Sequence, residues 1–541
     1  MGNNNGYKNV RGSLFVERFV IQNAKIYDGT GKSAYTADVL ISDGRIAAFG
    51  QGICAEKVVD AAGLCLAPGF VDAHTHSDSQ LFIDPDRAGK VKMGVTAEIG
   101  GQCGWSRAPL PDDAPKDALD YIYTIYGKPD VMPKFDTFAQ QLEAMDALPL
   151  GAHQKCFVGH HMIHGSVVGM EDRPCTATEL DRMCALTEEA MQAGALGLST
   201  GLIYAPGVYA RTEEVIALAK VVGKYGGMYT THIRDEADHV VEAVREAMDI
   251  ARAAEVPLNI SHLKCMFPRN YEKGEIILHM IDEANASGMD VSFDVYPYEA
   301  SSTTTLSTLP PSYLTCGMDQ LVERLTGREN IEKLRDIIEN TREDWENSVK
   351  NIGVDKMLIT IARNTPEAVG KTIREYAQLR GLDDIEAYAE ILAKNRGRVQ
   401  SIHFCMSTEN IAAFYRHPRA MLGTDGLYTS RIKLTHPRHF GSFPRYLGHF
   451  VRDMGILPME EAIRRITAVP CERYGIPERG YIKEGYAADM VLFNQNTIID
   501  RADYLDPQRP NVGIDSVYIG GELVMKDNEM TGIYNGKVFR R

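Results

Sequence analysis

Residues 67–78 read APGFVDAHTHSD. An apolar run ends at Asp72, and His74 and His76 follow with one residue between them. In an extended segment residues i and i+2 point to the same face, so both imidazoles project to one side, where a metal ion could take them together. A turn histidine with a second ring packed beside it would leave the same letters. The tripeptide does not choose between these readings.

Outward from this stretch the chain alternates between two periods. TATELDRMCALTEEAMQAG (176–194), RTEEVIALAKVVGKYGG (211–227) and EADHVVEAVREAMDIARAAE (236–255) carry apolar residues at helical spacing. Thr212 with Glu213 and Glu214 predicts a helix start, and Gly226–Gly227 a stop. Between them lie short apolar runs: ALGLST (195–200), GMYTTHI (227–233), VPLNISHL (256–263), MDVSFDVYPY (289–298) and AMLGTD (420–425). Such repeated alternation predicts a parallel sheet with crossover helices, and the count fits a closed (β/α)8 barrel with insertions. An open doubly wound sheet is the alternative, but no Gly-rich phosphate loop follows the first strand.

The ends read differently. FVIQNAKIYDGTG (19–31), ADVLISDGRIAAFG (37–50) and KVVDAAGLCLAPG (57–69) each form a β-type run closing on Asp-Gly or Gly, and GYIKEGYAADMVLFN, IDSVYIG and GGELVMKDNEM repeat the pattern after residue 480. We therefore expect a flexible leader at 1–13, a small β-sandwich assembled from 14–66 and 471–541, and a barrel over 67–470 interrupted by mixed material at about 300–360.

Composition narrows the partners. The 541 residues carry 58 Lys plus Arg against 73 Asp plus Glu, a net charge of −15, with no basic block. That surface is wrong for nucleic acid. No apolar run of about 18 residues predicts a membrane span. Ten scattered cysteines suit a reducing cytoplasm.

Each predicted barrel strand ends in a residue able to bind metal or move a proton. His74 and His76 end the first, Cys103 follows GVTAEIGGQ, His232 ends GMYTTH, His262 with Lys264 follows VPLNIS, and Asp425 closes AMLGTD. Barrel active sites sit at these C-terminal ends. Taken singly, Cys103 reads as a small buried apolar residue, His232 and His262 as hydrogen-bonded structural histidines, and Asp425 as a turn cap. Jointly they are poorly explained that way. Four imidazoles, a thiolate and a carboxylate suit zinc, as one ion or as two sharing the thiolate. A loaded metal supplies hydroxide at neutral pH and polarises a carbonyl, which leaves Asp425 as general acid/base.

With these residues in place, the chain resembles the amidohydrolase superfamily: PGFVDAHTH matches its opening signature and GYIKEGYAADMVLFN its return into the small domain. Within it, the chain is similar to the N-acyl-D-amino-acid deacylases (D-aminoacylases) on GGQCGWSRAP, GLIYAPGVYA, THIRDE, SHLK, DVYPYEASST, and GTDG followed by HPRHFGSFPRYLGHF, in the family's order over about residues 20–535. The resemblance implies a TIM-like barrel with one or two zinc ions: His74, His76 and Asp425 at one position, Cys103, His232 and His262 at the other. It implies that Lys264, Tyr296, Ser302 and Arg438 hold the substrate's α-carboxylate, that Tyr204 is a pocket tyrosine, and that the 300–360 insertion is a lid. It also implies hydrolysis of small N-acyl-D-amino acids. Relatives selective for D-Glu or D-Asp carry an arginine soon after the YPY segment; SSTTTLSTLPPSYLTCGM (301–318) has none, so neutral or apolar side chains are expected. The departures are GQCG where relatives often have GNCG, a single histidine in SHLK, and a loop of about two extra residues before Arg438. His161 and His164 in GHHMIHG are read as loop or pocket wall. The alternatives are a D-residue dipeptidase or cyclic-amide hydrolase on the same chassis, or a non-catalytic metal-binding protein; retention of all six ligand-type residues argues against the last.

Overall fold

The runs read as buried strands form them. In the computed structural model, which describes residues 18–126, 133–340, 345–427 and 432–541, Phe70–Asp72, Val95–Gly100 and His153–Cys156 make one parallel ladder. Val158–Gly159, Gly197–Gly201, Met228–His232, Leu258–Ile260, Val291–Val295 and Ala420–Leu422 make a second. Every residue in these strands is buried, as befits parallel strands covered by crossover helices. The expected leader at 1–13 lies outside the described residues.

One uninterrupted closed ladder was expected, and the pairing instead runs in two pieces. They abut at two seams. His153–Cys156 and Val158–Gly159 are one extended run broken at Phe157, whose N–H donates to the Gly100 carbonyl at 3.0 Å. At the other seam Ala73 N–H reaches Leu422 O at 3.1 Å and Asp425 N–H reaches His74 O at 2.8 Å. There a side chain takes over ladder hydrogen bonds: Asp72 Oδ1 accepts from the Thr424 amide (2.8 Å) and from the His74 amide (3.3 Å). Backbone groups are satisfied at the rim where the chain must turn to deliver ligands, at the cost of regular pairing.

The helices follow the sequence with shifted edges. Thr176 caps Ala177–Ala193 in a capping box with Glu179, and Gly194 ends it at φ +109°. Thr212 is the first residue of Thr212–Lys224 rather than its cap; its hydroxyl donates to Glu246 Oε1 at 2.7 Å instead. The next helix begins at Val240, not near Glu236, because Asp235 Oδ1 accepts from the Ala237 and His239 amides and holds 235–239 as a turn. That turn frees Glu236 to face the strand ends.

Both chain ends build one sheet of nine strands, in which Cys65–Pro68 pairs with Phe19–Ile26 on one side and Met490–Phe493 on the other. It is one hydrogen-bonded sheet where two stacked sheets were expected. It folds over on itself: the Phe19 and Tyr518 rings stack at 5.6 Å although two strands separate theirs in the sheet order. A flat sheet would put them about 14 Å apart at some 4.8 Å per strand.

The insertion is longer than the expected 300–360. Ala300–Thr304 pairs antiparallel with Val399–Phe404, which pairs with Met357–Ala362, and the helices Met318–Arg324, Arg328–Asn340, Ile373–Arg380 and Asp384–Lys394 share a hydrophobic core with this small sheet. Leu306, Ile338, Ile359, Tyr376 and Leu392 belong to a hydrophobic core that continues into Trp105, Met162 and Tyr209 of the main body. The strand that returns at Val399 lay beyond the stretch where barrel rhythm visibly fails, so sequence alone closed the insertion too early.

Candidate metal centre and catalytic cavity

All six ligand-type residues meet. His74 and His76 follow Phe70–Asp72, Cys103 lies three residues past Val95–Gly100, His232 ends its strand, His262 lies two past Leu258–Ile260, and Asp425 three past Ala420–Leu422. Ligand atoms of His74, His76, Cys103 and Asp425 lie within 4.8 Å of one another, as do those of Cys103, His232 and His262, so the thiol is common to both groups. Cys103 Sγ stands 3.3 Å from Nε2 of both His74 and His262, and Asp425 Oδ1 stands 3.1 Å from His76 Nε2.

Three of the six hold backbone conformations that L residues avoid: Cys103 at φ +54°, His262 at +33° and Asp425 at +50°. Each such position costs about 1–3 kcal/mol and persists where the surroundings impose it, typically at functional sites. The group also fits a divalent cation electrically. Burial, followed by the Asp425 and Asp294 carboxylates, pushes the Cys103 thiol well above its ordinary range, a state that a bound cation would reverse. His232 is buried, and neither ring nitrogen has a hydrogen-bond partner among the described residues. Its Nε2 is 3.3 Å from Glu236 Oε2.

Carboxylates that the sequence reading missed stand behind the imidazoles. Asp294 lies 3.1 Å from His74 Nδ1 and accepts the His262 amide at 2.9 Å. Glu236 Oε1 lies 3.1 Å from His262 Nδ1 and accepts from Lys264 Nζ at 2.6 Å. Burial would raise the Glu236 carboxyl, but the neighbouring His232, Lys264 and His262 hold it well below the usual range. Both acids sit inside the quoted motifs DVYPY and THIRDE; Glu236, four residues after His232, carried a local signal, whereas Asp294 is far in sequence from every ligand-type residue it supports.

The other predicted residues line the same cavity. Lys264 Nζ and Arg438 Cζ sit over the Tyr296 ring at 5.6 and 4.7 Å. Arg438 Nη1 is 2.9 Å from Asp425 Oδ2, off line for a hydrogen bond, while Nη2 donates to Ser302 O at 2.9 Å. Burial would raise the Asp425 carboxyl, but Arg438 and the neighbouring imidazoles outweigh it and hold the group well below the usual carboxylate range. Tyr204 accepts from Thr303 Oγ1 at 3.1 Å, with its ring 4.8 Å from that of His232. From Asp425 and His262 the cavity opens two ways. One way passes Trp105, Thr304, Gln400 and Leu427; the other passes Lys264 and Tyr296 toward Thr308, Ser348, His403 and Glu346.

His161 and His164 lie on the helix His160–Val167, not in a loop. His161 backs the cavity wall, its ring 4.4 Å from that of Trp105. His160 Nε2 and His164 Nδ1 each lie 2.8 Å from Glu214 Oε1. That spacing is an ordinary hydrogen bond, and the outward nitrogens have no partner among the described residues that would hold a metal-binding tautomer. We read this trio as a buried hydrogen-bonded tie between two helices.

Comparison with known proteins agrees with this geometry. The sequence profile of the amidohydrolase family matches residues 57–525. The chain is 34% identical to a D-aminoacylase of Alcaligenes xylosoxydans xylosoxydans over 95% of its own length and 96% of that protein's. It is 32% identical to the N-acyl-D-glutamate deacylase of the same organism, covering 93% and 92%. Among solved structures, it superposes on N-acyl-D-glutamate deacylase from Bordetella bronchiseptica, complexed with zinc and a phosphonate mimic of the tetrahedral intermediate, with a TM-score of 0.82 at 32% identity over 97% and 99% of the two chains. Among the described residues no helix is long and apolar enough to cross a membrane.

Proposed function

The chain belongs to the amidohydrolase family, in its D-aminoacylase group, and from that premise we propose that it hydrolyses N-acyl-D-amino acids to a carboxylate and a free D-amino acid, using one or two zinc ions. The observation that carries this reading is the convergence of Asp425, Arg438 and the shared thiol of Cys103 in one cavity. Residues 67–470 would form the catalytic unit, and 14–66 with 471–541 the small domain around it. Unpaired cysteines support a cytoplasmic enzyme.

His74, His76 and Asp425 would hold one ion, and Cys103, His232 and His262 the other. Bound zinc acidifies a water molecule and polarises a carbonyl oxygen. Asp425 accepts the proton of the attacking water and delivers it to the leaving nitrogen; Arg438 beside it keeps the carboxylate ionised and ready to accept. Lys264, Tyr296, Ser302 and Arg438 receive the α-carboxylate, with Tyr204 closing the wall. A planar guanidinium suits that task, and Arg438 Nε, buried without a hydrogen bond among the described residues, has a donor in hand. The insertion would act as a lid that excludes water.

The acyl group would occupy the side of Trp105 and Leu427, and the amino-acid side chain the side beyond Lys264. No arginine or lysine other than Lys264 and Arg438 lines either way among the described residues, which argues against acidic side chains. A D-dipeptide would place its free ammonium on the Trp105 side, where among the described residues no carboxylate beyond Asp425 lines the cavity to pair it.

Assaying N-acetyl-D-Met, N-acetyl-L-Met and a D-dipeptide side by side, before and after chelation with zinc add-back, tests this reading. Turnover of the first alone, lost on chelation and restored by zinc, is expected. Full activity in metal-free protein, or no turnover of any N-acetyl-D-amino acid, would overturn it.

A further inference from the structure

The far end of the amino-acid side carries a buried carboxyl with no ion-pair partner among the described residues. Glu346, in the insertion, is 7% exposed and lines the cavity with Thr308, Ser348 and His403. Its carboxylate accepts a hydrogen bond from the backbone N–H of Glu236, and no lysine, arginine or histidine among the described residues is ion-paired with it. The cations lining the cavity are committed elsewhere: Lys264 Nζ lies 2.6 Å from Glu236 and 2.7 Å from His262 Nδ1, and Arg438 lies beside Asp425.

The position is built into the framework. Trp345 Nε1 donates to Thr308 O at 3.4 Å, and Asn347 Nδ2 donates to Ile338 O at 2.8 Å while its Oδ1 caps the Lys350 amide at 3.1 Å. Glu346 is therefore clamped on both sides by neighbours tied to the insertion. A buried carboxylate without a counter-charge is expensive. Burial and the nearby Asp235 and Glu236 carboxylates push its proton affinity well above the usual range, which measures that cost. A ligand bringing a positive charge to this point would recover it.

Resting on the reading above, we propose that Glu346 determines side-chain specificity and makes this site favour N-acyl-D-amino acids whose side chain ends in a cation, an ammonium or a guanidinium. Of the proposed α-carboxylate contacts, Lys264 and Tyr296 line the way to Glu346, Ser302 borders both ways and Arg438 borders the Trp105 side, which puts the carboxylate at the junction and the substrate's side chain, rather than its acyl group, toward Glu346. An acidic side chain brings no counter-charge and would add a second buried carboxylate beside Glu346, so it is disfavoured.

The test compares kcat/KM of the zinc-loaded protein for N-acetyl-D-Arg, N-acetyl-D-Lys, N-acetyl-D-Met and N-acetyl-D-Glu, in the wild type, Glu346→Gln and Thr308→Arg. In the wild type, D-Arg or D-Lys is expected to match or exceed D-Met, with D-Glu at least a hundredfold lower. The ratio of D-Arg to D-Met should fall tenfold or more in Glu346→Gln. It should fall similarly in Thr308→Arg, where the new guanidinium pairs with the carboxylate; this second variant decides the matter if Glu346→Gln does not fold. D-Met preferred over both basic substrates, or a ratio unmoved by the folded variants, overturns the proposal while leaving the deacylase reading intact. No turnover of any of the four overturns both.

Discussion

The Asp294 carboxylate stands 3.1 Å from Nδ1 of His74, and the opposite nitrogen, Nε2, faces Cys103 Sγ at 3.3 Å. A carboxylate accepting the Nδ1 proton leaves Nε2 bare and aims it into the group of ligand atoms, the arrangement that fixes tautomer and ring orientation in metal sites.

Asp294→Asn should therefore weaken metal affinity about 10–100-fold without unfolding the protein. Metal titration of the chelated protein, followed by elemental analysis, measures this. Unchanged affinity would mean that His74 is oriented by packing alone.

Asp425→Asn should lower kcat by about two to four orders of magnitude, the range of general acid–base catalysis. The group of Cys103, His232 and His262 is untouched by this change, so at least one zinc per chain should remain. Steady-state kinetics with zinc analysis of the same preparation separates lost chemistry from lost metal.

The backbone at Cys103, φ +54°, favours glycine over any side chain. Cys103→Gly and Cys103→Ala should both lose the shared ligand and with it most activity. In the metal-free state the glycine variant should be the more stable of the two by about 1 kcal/mol, since only alanine keeps the strained conformation. Denaturant unfolding of both variants checks the order.

His403 lies in the returning strand of the insertion, its Nε2 2.7 Å from Ser401 Oγ, and burial pushes its pKa down from 6.5 to about 4. Between pH 6.5 and 4 the unfolded chain binds this proton and the folded chain does not, so stability falls as pH drops through that window. The loss is on the order of 3 kcal/mol when complete. His403→Gln should flatten this part of the stability–pH curve, measured by thermal unfolding at a series of pH values.

The six ligand-type side chains that converge were legible because each sits at or just past the end of a strand whose apolar run marks it. Glu236 and Asp294 were not, since an acid near a strand end has many ordinary uses and only the folded contact to an imidazole singles it out. The insertion was legible at its start, where SSTTTLSTLPPSYL breaks the rhythm, and illegible at its close, where Val399–Phe404 returns after helices that resemble crossover helices.

The strand runs, the helix spans to within a few residues and the ligand-type residues are legible in local order, because periodicity and capping act over a few residues. Which of those ends face one another, how the two ladders meet at Asp72 and Thr424, and that Glu346 arrives from a distant insertion against the Glu236 amide were decided only in three dimensions. Such contacts depend on the summed packing of the whole chain, in which residues hundreds of positions apart become neighbours, and no local pattern encodes that sum.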